Sequence, residues 1–154
     1  MSSGIRQSVL ALLTAALVSG AVWLVPAEAA TPAATYSTQA FGATNAHRAD
    51  HDRVRLKKSA CLTRMAQRWA KHMARTGRMV HQDLGPITSR CDLSWTGENI
   101  AMGYSNGRAV VNRGWMHSAG HRENILRPQY RLMGIGAYRD GHGRWWASQV
   151  FGRR

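Results

Sequence analysis

Past the first 25 residues this chain contains no apolar run long enough to cross a bilayer, and nowhere does it contain an internal repeat or a low-complexity tract. Repeat architecture is thereby excluded, as is a membrane crossing in the body of the chain. One globular domain remains: 154 residues with 44% hydrophobic content bury a real but modest core, and two domains would be crowded. Cysteine is sparse, with two residues, and acidic side chains number 8 against 21 Lys and Arg, a formal net charge of +13.

The start of the chain reads as an export signal. Arg6 precedes an apolar stretch from Val9 to Val25, Gly20 and Pro26 interrupt it, and Ala27, Glu28 and Ala29 supply the small, any, small pattern that signal peptidase reads. Cleavage after Ala29 makes residues 1–29 a signal peptide and places the protein outside the cell. An uncleaved anchor is the alternative, since the stretch approaches the roughly 20 apolar residues that span a bilayer. Residues 30–40, rich in Thr, Ala and Ser, read as a flexible lead-in, with the folded domain expected over 41–154.

Export governs how Cys61 and Cys91 are read. An even count in an exported chain favours a disulfide over metal ligation or redox chemistry, the alternative being two buried free thiols. Closing that loop stabilises the fold by roughly 3 to 4 kcal/mol on the chain-entropy model. Loss of Arg6 and Glu28 with the signal leaves the charge at +13, a field that favours anionic lipid, nucleic acid or acidic cell-envelope polymers. Only three of the basic residues are lysines, as a GC-rich genome would produce without selection for binding. Tight basic groups occur only at Arg53, Arg55, Lys57, Lys58 and at Arg153, Arg154. The pattern reads as a generally basic surface with no dedicated nucleic-acid motif.

A polar helix is expected from about Thr44 to Arg53, followed by a loop at 57–60. The clearest helix follows: Leu62, Met65, Ala66, Trp69, Ala70, Met73 and Ala74 form one apolar stripe, with Ser59 to cap its start and Gly77 to end it. Stripes of this spacing pack cores, and these residues are assigned no function. Asn106 or Ser105 caps a further helix over 108–117, in which Gly114 implies close packing, and Gly120 and His121 open a short helical turn stopped before Pro128. Leu132 to Tyr138 and Trp145 to Phe151 read as a hairpin around Asp140, Gly141, His142 and Gly143, with Trp145 and Trp146 on opposite faces.

Chemistry concentrates in three segments. His81 lies in the loop after Gly77, and Gly97, Glu98 and Asn99 lie where a loop enters a strand, with Gly97 allowing a tight turn. A run from Trp115 to Leu126 reads W-M-H-S-A-G-H-R-E-N-I-L. A carboxylate beside Ile100, Ala101 and Met102 sits at the edge of the core and needs a partner. The spacing of His117 and His121 matches a metalloprotease helix, but Ser118 stands where the general base would be and Gly120 where the helix should continue, so that mechanism is rejected. Ser118 is in no nucleophile-elbow context.

The segments N-A-H-R at 45–48, His81, G-E-N-I-A at 97–101, the run at 115–126 and G-I-G at 134–136 resemble the bacterial branch of the CAP superfamily. That superfamily includes cysteine-rich secretory proteins, insect venom antigens and plant pathogenesis-related proteins. The resemblance covers residues 41–151 and implies an α+β fold, a three-layer α-β-α sandwich with a small central antiparallel sheet and a cleft. It places His81, Glu98, Asn99, Trp115, Ser118 and His121 in that cleft. His81 and His121 match the two histidines of a tetrad that in some members binds zinc, with Glu98 as third ligand or behind the ligands. Ser118 replaces the second acidic residue.

The expected function is a secreted, monomeric binding module in which the cleft, or an apolar groove adjacent to it, accepts a lipid, glycan or peptide ligand, with no catalytic residue assigned. A zinc-dependent hydrolase using His81, Glu98 and His121 with a bound water is one alternative. A basic protein binding polyanions through charge alone is another. The same three residues equally suit a buried hydrogen-bond network that fixes loops.

Overall fold

The computed structural model describes Met1 and residues 29–154. The signal peptide expected at 1–29 lies outside the described residues but for its two ends.

The first helix, α1 (Pro32–Asp50), starts where Thr31 Oγ1 accepts from Ala34 N at 3.2 Å and Pro32 occupies the first turn. Residues 32–40 are therefore helix, which corrects the flexible lead-in expected at 30–40. The Thr and Ala content that reads as a linker hides a four-residue repeat, Tyr36, Ala40 and Thr44, and all three are buried. Tyr36 lies 4.9 Å from the Trp145 ring, so the packed domain begins ahead of residue 41.

A two-residue strand, β1 (Lys57–Lys58), occupies the expected loop and leads to α2 (Ala60–Thr76). Ser59 Oγ accepts from Leu62 N at 3.3 Å, and Gly77 ends the helix at φ 65°. Next come α3 (Gly85–Arg90) and β2 (Trp95–Met102). Asn106 Oδ1 accepts from Ala109 N at 2.9 Å and starts α4 (Gly107–Ala109). The helical path then widens to a π-helical turn at Val110–Gly114 and tightens to a 3-10 turn at Trp115–His117, where the sequence reads as one regular helix. A Cβ at Gly114 would lie 2.6 Å from Tyr104 Cζ, so the expected close packing there is real. The chain finishes with α5 (Ala119–Leu126), β3 (Leu132–Arg139) and β4 (Trp145–Arg153).

The sheet runs β1-β3-β4-β2, antiparallel except for β1 beside β3. Along β3 the faces alternate. Gly134 and Gly136 lie under α2 so closely that a Cβ on either would come within 2.2 Å of its backbone. Met133, Ile135 and Ala137 point the other way, into a core shared with Tyr36, Val110, Trp115, Ile125 and Phe151. Helices α2 and α3 thus form one outer layer, and α1, α4 and α5 the other, which is the expected α-β-α sandwich. A disulfide joins Cys61 of α2 to Cys91 just past α3. Trp146 is buried on the α2 face with Met73 and Ile100, while Trp145 lies under α1. Among the described residues no helix is long and apolar enough to cross a membrane.

Candidate functional site

Strand β2 is an edge of the sheet, and loops from both helical layers converge on it. Glu98 pairs with Val150 across the strands, which aims its side chain toward the α2 layer. Only 1% of that side chain is exposed. A carboxylate so placed requires donors, and it has four. Oε2 accepts from His81 Nδ1 at 2.9 Å and Gln82 N at 3.2 Å, while Oε1 accepts from Gln82 Nε2 at 2.5 Å and Ser148 Oγ at 2.8 Å.

His81 is thereby oriented from behind. Its Nδ1 faces Glu98 at 2.9 Å, while 58% of the side chain is exposed. His121, in the first turn of α5, is half-buried; burial lowers its pKa below the usual value and the nearby His81 lowers it further. A histidine depressed in the folded state is harder to protonate there than in the unfolded chain. Its contribution to stability is complete above the ordinary pKa near 6.5 and is lost as pH falls through the folded value.

On the opposite face Asn99 fastens α5 to the sheet. Its Nδ2 donates to His121 O and to Gln149 Oε1, each at 3.0 Å, and its Oδ1 accepts from Asn124 Nδ2 at 3.0 Å. Trp115, fully buried, donates Nε1–H to Ile100 O at 3.1 Å. Ser118 takes the N-cap position of α5 with no capping bond from its side chain, and it has no part in the Glu98 network. Gly97 lies inside β2, not in a tight turn as the sequence suggests. A Cβ there would lie 2.2 Å from Tyr130 Oη, so close approach, not backbone curvature, requires glycine.

The structure therefore brings His81, Glu98 and His121 to one edge, with Asn99 and Trp115 as anchors beneath. It does not arrange them as three metal donors: among the described residues no group of three or more His, Cys, Asp or Glu is placed to hold a metal ion. Glu98 instead stands behind His81, its oxygens already accepting four hydrogen bonds, which leaves His81 and His121 as the imidazoles of this edge. Gln82 and Ser148 escaped the sequence reading. Gln82 adjoins His81, but Ser148 joins only through the β2–β4 register.

A second feature lies at the other edge of the sheet. Where β1 ends, α1 and α2 part to leave a groove of about 690 Å³. Ala34, Phe41 and Ile135 supply apolar wall, and Lys58, Arg64 and Arg68 bring cations to it. Gln67 closes one end of the exposed β3 edge, donating to Ala137 O at 2.9 Å and accepting from Ala137 N at 3.1 Å.

The cysteine-rich secretory protein family model, CAP, matches residues 41–151. An uncharacterized protein of Bacillus subtilis, YkwD, is 42% identical over 57 residues, 37% of this chain and 21% of its own length. The chain thus spans about a fifth of that curated relative. An extracellular protein of Bacillus anthracis containing an SCP domain is similar in structure, with TM-score 0.72 and 28% identity over 83% of this chain and 45% of that one. An outer surface protein of Borrelia burgdorferi shares the fold at TM-score 0.66 and 20% identity, over 74% of this chain and 89% of that one.

Proposed function

Since the chain belongs to the cysteine-rich secretory protein (CAP) family, we propose that it is an extracellular binding module whose ligand is an anionic amphiphile with an acyl-like body. The observation that carries this reading is the groove between α1 and α2: apolar wall from Ala34, Phe41 and Ile135, with Lys58, Arg64 and Arg68 at its border. Apolar surface of this kind gains roughly 25 cal/mol per Å² on burial, and the border cations select the charge of the head group. In this reading the His81–Glu98–Gln82–Ser148 network is a fastening between layers, and no catalytic step is assigned to it.

The test is titration of the purified protein with palmitate and with hexadecanol. Palmitate is expected to bind, hexadecanol more weakly. Ala34→Trp, which puts bulk into an exposed helix position facing the groove, should abolish both. Replacing Arg64 and Arg68 by Gln should weaken palmitate about 10-fold and leave hexadecanol unchanged. Equal affinity for acid and alcohol, or binding indifferent to Ala34→Trp, overturns the proposal.

A further inference from the structure

The two basic groups that lie far apart in the chain meet in space. β1 pairs Lys57 with Leu132, Lys57 N donates to Arg131 O at 2.9 Å, and Arg131 N donates to Gly152 O at 3.0 Å. Arg153 stands opposite Trp95 across β4 and β2. One end of the sheet therefore carries Arg55, Lys57, Arg131, Arg153 and Arg154, all exposed. Arg131, Arg153 and Arg154 line a hollow of about 420 Å³ together with Pro128, Gln129 and Leu132.

None of these five cations is ion-paired among the described residues. Glu123 is held by Arg127, and Asp92, in the turn before β2, pairs with none of them. Beneath them Arg48 is fully buried and satisfied by carbonyls alone: Nε donates to Val54 O at 2.8 Å, Nη1 to Ile125 O at 2.7 Å and Arg127 O at 3.0 Å, and Nη2 to Tyr130 O at 3.4 Å. Burial lowers its pKa to about 10, with Arg131 and Arg53 adding to the shift. A charge that stays on in a dry site with no counter-ion adds to the positive field of this end.

We propose that this basic end of the sheet binds an extended phosphodiester polymer of the cell envelope, at a site separate from the groove and independent of that reading. The three neighbouring strands β1, β3 and β4, at about 4.8 Å spacing, spread the cations over roughly 10 Å, more than one phosphate can span. Four of the five are arginines, whose forks grip phosphate oxygens in pairs. A nucleic acid fits less well, because single strands need open aromatic faces for their bases. Trp95, the exposed aromatic here, already has Arg127 over its ring at 5.2 Å and Tyr130 beside it at 6.0 Å. The extracellular and outer-surface character of the B. anthracis and B. burgdorferi proteins points to the compartment in which such polymers are met.

The experiment measures binding of the protein to immobilised poly(glycerol phosphate) across a salt series. With five contacts, affinity should fall roughly 100-fold between 50 and 200 mM salt. Replacing Arg153 and Arg154 together by Gln should weaken binding about 10-fold or more at low salt and reduce the magnitude of the log–log salt slope by about 1.4. The charge-matched pair Arg75→Gln and Arg78→Gln, exposed at the far end of α2 and just beyond it, should change affinity less than twofold. Equal losses from both pairs mean diffuse attraction and overturn the proposal. So does tighter binding to single-stranded DNA or to polygalacturonate than to the phosphate polymer.

Discussion

Glu98 joins the edge strand to the loop that leaves α2, and everything its carboxylate does in this structure is to accept. Because all four partners donate, an amide is the wrong replacement: one of its two ends would turn N–H groups toward donors. Glu98→Gln is therefore expected to cost about 2 to 3 kcal/mol, read as a lower urea midpoint with unchanged slope. A stability equal to wild type would show that the network carries little. The need for a partner is legible in the sequence, since a carboxylate among Ile100, Ala101 and Met102 lies at a core edge. That His81 answers it is legible only through the family resemblance. Ser148 is not legible at all, because it lies 50 residues away and arrives by strand register.

Among the elements, α2 was readable over its whole length and α1 only in its last two turns, from Thr44, for the same physical reason seen from two sides. The stripe of Leu62, Ala66, Ala70 and Met73 is apolar throughout and fully buried, so periodicity alone marks the helix. The inward face of α1 includes Thr44, Asn45 and Arg48, polar residues whose burial depends on partners elsewhere. Asn45, for instance, exchanges hydrogen bonds with Leu56 backbone at 2.8 and 3.0 Å. Where α2 meets β3, the contact is set by glycine. Gly136→Ala would place a Cβ 2.2 Å from Gln67 N and should destabilise by about 2 kcal/mol or more. Gly120→Ala, in α5 with nothing within 4 Å, should instead be neutral or stabilise by up to about 1 kcal/mol. Thermal unfolding of the two variants side by side checks the pair, and a tolerated Gly136→Ala would mean that α2 can lift from the sheet.

At the scale of the whole molecule, the Cys61–Cys91 bridge encloses a sequence separation of 30 and ties together the two helices of one layer. Reduction is expected to lower unfolding free energy by roughly 3 to 4 kcal/mol, measured by denaturant melts with and without reductant. A change below about 1 kcal/mol would show that packing of Leu62, Ile87 and Val150 around it holds that layer unaided. The sequence by itself determined the features that depend on short-range pattern: the α2 helix with its caps, the terminal hairpin, the disulfide expected from two cysteines, and the excess of positive charge. Tertiary structure alone decided which of those charges lie together and what surrounds Glu98. Periodicity is read over neighbouring residues, whereas the order β1-β3-β4-β2 places Lys57, Arg131 and Arg153 at one end through pairings that no local pattern encodes.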